Sequence, residues 1–167
     1  MRTCLLLAVC GCGSLAHAQQ PAKAVRTASF VQAAEKFSSA LDRALGNSKP
    51  QYSLPVSPAG DVTRAFVLQY LDKTLDHFAP QFKSHPRPVK FDESKLKGGV
   101  APTALSSAER LVRMGFVPPF SPLVTAKSDN LTPEQLGDAL GYFYSRMCYL
   151  VHKPIPKFTP NLEPTGG

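Results

Sequence analysis

The sequence predicts an all-α fold in which two helix-loop-helix units pack as a four-helix domain with long Pro-rich loops. Three observations lead there. Apolar residues recur at steps of three and four in four separate stretches, Gly or Pro closes each stretch, and only 89–91 resembles an extended piece. The 167 residues suffice for one domain and are short for two. Sixteen prolines without a period, no Trp and a mean hydropathy of -0.12 exclude a collagen, a coiled-coil rod and a multi-span membrane protein.

The chain opens on an export signal at 1–18. Met1 and Arg2 give a positive start, 4–13 is apolar or small, and Ala16-His17-Ala18 supplies the small-x-small pattern for cleavage before Gln19. The apolar stretch is about half the ~20 residues a spanning helix needs, so no transmembrane helix is expected. Cys10 and Cys12 follow apolar residues and offer a lipid anchor as the alternative to simple cleavage. Cys4, Cys10 and Cys12 leave with the signal, so the mature chain keeps Cys148 alone and forms no internal disulfide. The expected location is the periplasm or the cell surface.

Residues 19–28 read as a flexible, polar, Ala-rich leader. The helical domain is expected over 29–153, with repeat-like units at 29–78 and 91–152. Phe30, Ala34, Phe37, Leu41 and Leu45 mark one stripe of a first helix over 29–45, which Gly46 stops. A Pro-rich loop follows. Asp61 or Thr63 caps a second helix whose apolar face runs Val67, Leu71, Leu75 and Phe78 before Pro80. The segment 79–102, with four prolines and Gly98-Gly99, is a connection. A third helix over 105–114 buries Leu105, Ala108, Leu111 and Val112, has a capping-box spacing at Ser106 and Glu109, and ends at Gly115. Thr132-Pro133-Glu134-Gln135 starts the fourth: Thr caps, Pro takes the first helical position, and Gln returns to the Thr backbone. Leu136, Leu140, Phe143, Met147 and Leu150 face inward, and Gly137 with Gly141 suggests close helix packing. The chain leaves this helix near His152 into a Pro-rich tail, 154–167.

A single offset of 69 superimposes Gly46 on Gly115, Pro50 on Pro119, Leu54 on Leu123, Thr63 on Thr132 and Leu71 on Leu140. These are the helix stop, loop, cap and inner-face positions that a repeated unit must share, which points to a duplication.

The sequence carries no catalytic signature. His77, His85 and His152 lack the spacing of metal ligands, and no phosphate loop, nucleophile elbow or Cys-His pattern occurs, so neither cofactor nor metal nor enzymatic activity is expected. Asp61 and Asp129, near two helix starts, are the carboxylates that folding could pair. Loss of Arg2 leaves 18 Lys and Arg against 12 Asp and Glu, a net +6. The densest basic stretch, Lys83 to Lys97, has neither an aromatic ladder nor a helical period, so it reads first as a solvated loop, and anionic wall polymer, lipid head groups or nothing specific are favoured as its partners over nucleic acid.

Gly60-Asp61-Val62-Thr63-Arg64-Ala65-Phe66 resembles the signature of S-layer homology modules, where an aliphatic residue precedes Thr-Arg-Ala-Glu at the start of the second helix. Leu131-Thr132-Pro133-Glu134-Gln135-Leu136 is similar at the corresponding place. Phe91-Asp92 resembles the opening of such a module, and Gly115-Phe116-Val117 its helix-ending segment. The resemblance implies noncatalytic attachment to an anionic cell-wall polysaccharide or a peptidoglycan-linked group, in grooves between modules. The free N–H groups at the helix starts behind Thr63 and Thr132, together with Arg64 and with Arg110 and Arg113 from the third helix, form the expected anion-binding set. The second reading is a small periplasmic helical protein that binds a protein partner or a second copy of itself, and a hydrolase stands third.

Overall fold

The structure is a computed structural model, and it describes residues 24–47 and 61–152. The export signal, cysteines 4, 10 and 12, the first loop, the tail at 154–167, and the repeat positions Pro50 and Leu54 lie outside the described residues. Within them the protein is all-α. Four longer helices, α1 (Thr27–Leu45), α2 (Arg64–Phe78), α4 (Leu105–Arg113) and α6 (Pro133–Leu150), are joined by two one-turn helices, α3 (Ser94–Lys97) and α5 (Pro122–Thr125). The connection at 79–102 therefore holds structure: a 3-10 turn follows α2, and α3 buries Leu96.

Each first helix of a unit stops in the same way. At Gly46, φ is 82°, and at Gly115 it is 74°, a left-handed conformation that costs glycine nothing. The Gly46 N–H donates to Arg43 O and the Asn47 N–H to Asp42 O; the Gly115 N–H donates to Val112 O and the Phe116 N–H to Leu111 O. Both ends are Schellman motifs, with two orphan carbonyls satisfied in each. In the second unit the residues at the two ends of the longer bond, Phe116 and Leu111, are both apolar and buried. In the first, a polar bond joins the equivalent pair, from Asn47 Nδ2 to Asp42 Oδ1 at 3.0 Å.

The second helices also start alike. The Phe66 N–H donates to Thr63 Oγ1 at 3.1 Å, and the Gln135 N–H to Thr132 Oγ1 at 3.2 Å, so Thr63 and not Asp61 is the cap. At Thr132 the box closes, because Gln135 Oε1 accepts the Thr132 N–H. The third helix departs from expectation. It begins from a 3-10 turn at Pro102–Ala104 with no side-chain cap, so Ser106 and Glu109 do not form the box their spacing suggested.

Aromatic rings carry the core from one unit to the other. Phe66 and Phe30 meet edge to face at 5.3 Å, as do Phe30 and Tyr70; Phe37 then reaches Phe143 at 5.7 Å, and Phe143 reaches Phe116 at 4.8 Å. Phe82 stacks on Phe116 at 6.0 Å. Edge-to-face pairs add to the burial energy about 0.5–1.5 kcal/mol each. Two glycines resolve differently. A Cβ on Gly99 would stand 2.4 Å from Val124 O, so α5 packs directly on that backbone, whereas nothing lies within 4 Å of a Cβ on Gly141, and its expected helix contact is not made.

Candidate functional site

Val25, Val62 and Leu131 are each 2% exposed or less, and their backbones knit three helix starts together. The Val25 N–H donates to Leu131 O, and Val25 O accepts the Val62 N–H. Val25, placed by the sequence in a flexible leader, is instead a fixed strand-like residue at the head of the bundle. Thr63 bridges antiparallel to Asn130, and the Arg64 N–H donates to Asp129 O at 3.0 Å. The two capped starts thus lie side by side. The equivalent bond from the other side cannot form, because Pro133 occupies the position of Arg64 and has no N–H.

Arg64 does not stand in solvent. It is 4% exposed, and its guanidinium NH1 donates to the carbonyls of Leu123 at 3.2 Å and Pro122 at 3.4 Å. Burial pushes its pKa below the ordinary arginine value, while the charge of Asp129 acts in the opposite sense. Its Nε is buried without a hydrogen-bond partner. The side chain therefore clamps α5 of the second unit onto the first turn of α2 in the first.

Arg110 and Arg113 are also engaged. Arg110 NH1 donates to Asp72 Oδ1 at 2.9 Å, and NH2 reaches Asp76 one turn on, so the guanidinium forks between two carboxylates of α2. Ser107 Oγ donates to the other oxygen of Asp72 at 2.9 Å. The Asp76 hydrogen bond is the main cause of the raised Arg110 pKa. Arg113 pairs with Glu93. Of the expected set, Thr63, Arg64 and Thr132 are brought close at the helix starts, but Arg110 turns to α2 and Arg113 to Glu93 at the start of α3, each with its charge answered.

A second basic region has no such answer. Residues 82–89 stretch between two helix ends: the Lys83 N–H and Ser84 Oγ donate to Leu150 O, at 3.1 and 3.3 Å, and the Val89 N–H donates to Arg113 O at 2.8 Å. Beneath this strap, against the last turns of α6, lies an open cleft of about 810 Å³. Its walls carry His85 and Arg87 from the strap and Arg146, Tyr149 and His152 from α6 and its end, and among the described residues no carboxylate lines it. The guanidinium of Arg146 sits 5.3 Å from the centre of the Tyr149 ring, and its Nε is buried with no hydrogen-bond partner.

Comparison with family models, with curated proteins and with solved structures returns no match. The site is therefore read from its residues. Sequence reasoning registered the strap as a solvated basic loop and missed Arg146, a lone cation in the apolar run of α6. One signal was present. Arg146 and Tyr149 are one turn apart, and the stripe Leu140, Phe143, Met147, Leu150 leaves both on its flank.

Proposed function

We propose that this is an exported, noncatalytic cell-envelope protein that binds an anionic cell-wall polymer. The observation that carries the reading is the uneven answering of charge. Among the described residues, ion pairs take up Arg110 and Arg113, and carbonyls take up Arg64, while no ion pair reaches Arg87, Lys90 or Arg146. Of these, Arg87 and Arg146 line one cleft, and two unpaired cations sharing a cleft on a net basic protein favour an anion there. The S-layer-like signature is consistent with it, and the paired helix starts supply the scaffold. The proposed contact moves from the Thr63 and Arg64 region, where Arg64 is buried against the carbonyls of Leu123 and Pro122, to the cleft side of the molecule.

No helix among the described residues is long and apolar enough to cross a membrane. Mature protein from its native host, beginning at Gln19 by intact mass, would support the export step; retention of 1–18 or acylation at Cys10 or Cys12 would change the anchor. The functional test is sedimentation with purified wall material. Binding that persists at physiological salt supports the reading, because a diffuse charge effect is screened there. Absence of co-sedimentation refutes it.

The reading of a protein-partner binder draws on a different place. Phe120 is 80% exposed and Tyr142 45% exposed beside an apolar hollow between α5 and α6. Pull-down from membrane proteins rather than from wall would favour that reading.

A further inference from the structure

We propose that the cleft under the 82–89 strap is a specific site for an acidic saccharide, with Arg146 and Arg87 holding its carboxylate or phosphate and Tyr149 bearing the sugar ring. This deepens the wall-binding reading and rests on it only for the source of the saccharide. Four features build the site. First, Arg146 is preorganised: its guanidinium lies over the Tyr149 ring and packs beside Gly115, at ordinary van der Waals distance (3.5–3.6 Å) from where a Cβ there would stand. A guanidinium held in place loses less freedom when it pairs with an anion.

Second, the Arg146 charge is uncompensated. No ion pair reaches its guanidinium among the described residues, so an incoming oxyanion can pair with the exposed part of the guanidinium without displacing any of their carboxylates, while the Nε, buried near Gly115, takes no part. Third, the helix end does not repel the anion strongly. α6 directs its negative pole at the cleft, but Met147 O, Tyr149 O and Leu150 O already accept backbone N–H groups from Val151, His152 and Lys83. Fourth, Tyr149 is 64% exposed. With Arg146 against it, the rest of the ring is free to take the apolar face of a sugar, while His85 and His152 offer further polar contacts at the rim.

Carboxylate and phosphate present the same oxyanion to an arginine, so defined probes must separate them. Heteronuclear NMR titration of the protein with glucuronic acid, glycerol 3-phosphate and neutral glucose reads both affinity and place. The expected result is saturable shifts at Tyr149, His85 and Gly115 with at least one acid and none with glucose. Saturation by glucuronic acid alone names a carboxylate, and by glycerol phosphate alone a phosphodiester-type polymer. Arg146→Gln should weaken the bound acid at least tenfold, and Arg87→Gln and Tyr149→Ala several-fold, while Lys127→Gln, away from the cleft, leaves it unchanged. Arg87 is exposed on the strap, so its variant keeps the test valid should Arg146→Gln disturb the packing on Gly115.

Equal titration of Arg146→Gln, Arg87→Gln and wild type, or shifts no larger than with sodium chloride, overturns the proposal. Its failure is separable from that of the wall reading. Wild type that sediments with wall while the cleft variants sediment equally well refutes the cleft alone. Wild type that titrates with acid but ignores wall material refutes the source alone.

Discussion

Replacing Arg64 by Ala should destabilise the protein by about 2–4 kcal/mol, although the residue merely follows a helix cap in the sequence. Position alone predicts almost no effect, since arginine and alanine are both good helix formers. The fold changes the account. Arg64 is 4% exposed and donates from NH1 to two carbonyls, of Leu123 and Pro122. A hydrogen bond from a charged donor contributes about 1.5–3 kcal/mol, and a carbonyl left buried without its donor costs about 1–3 kcal/mol. At 3.2 and 3.4 Å the two bonds share one donor group and do not add in full. Against them stands the desolvation of the guanidinium, visible as its lowered pKa, which the alanine variant relieves. One good bond, one weak bond and lost packing of the stem, less part of the desolvation, leave the stated range. Urea unfolding followed by far-UV circular dichroism measures it as a lower midpoint at unchanged slope. Arg64→Lys should recover only part, because the lysine nitrogen lies one bond short of the arginine NH1 position and an ammonium is more costly to bury than a guanidinium. A loss below about 0.5 kcal/mol for Arg64→Ala would mean that the clamp between the units carries no energy in solution, and that the residue is free for a ligand after all.

Gly46→Val and Gly115→Val should each cost on the order of 1 kcal/mol or more through positive φ, and Gly115→Val should cost more, since the methyls beyond its Cβ must fit against Val89 and Arg146 while nothing lies within 4 Å of a Cβ at Gly46; equal thermal shifts would show that Val89 and Arg146 do not pack beside Gly115. Thr63→Ala and Thr132→Ala should each lose about 1 kcal/mol of cap, and Gln135→Ala should weaken only the second start, by chemical denaturation. Burial, with the neighbouring Cys148, pushes the Tyr144 pKa up to about 12, so the folded state holds a proton that the unfolded state releases near 10. Stability is therefore present in full below pH 10 and is lost as pH rises towards 12; Tyr144→Phe should flatten that decline in a pH series of denaturation midpoints. Cys148 is buried and its thiol pKa is raised by desolvation, so an aromatic disulfide reagent should label it only when the protein unfolds, and rapid labelling of native protein would contradict the packing.

The all-α fold was legible because its signals are local. Helix periodicity, the Thr132-Pro133-Gln135 start and the glycine stops each depend on a few consecutive residues, and all appear where their pattern puts them. The failures are also local patterns, ones that tertiary structure outbid. Ser106 and Glu109 have the box spacing, but a 3-10 turn through Ala104 has already set the helix start before Ser106 is reached. Val25 sits in a polar, Ala-rich stretch with no period, and no neighbour in sequence reveals that Val62 and Leu131 would close around its backbone.

The binding set was the least legible part, and arginine shows why. Arg64, Arg110, Arg113 and Arg146 are alike in sequence: each is a cation on a helix. Their fates depend on what lies across from them, namely carbonyls of α5, carboxylates of α2 and Glu93, or in the case of Arg146 a glycine and an aromatic ring. An arginine whose hydrogen-bonding capacity is used within the fold has little left to offer a ligand, and recruiting it would mean breaking those bonds. The useful quantity is therefore the charge left over after internal pairing, which only three-dimensional placement supplies. By that measure the helix-start site retains Thr63 and Thr132 as structural caps, whereas the cleft beneath the strap retains its cations, and the choice between the two follows from hydrogen bonds already made.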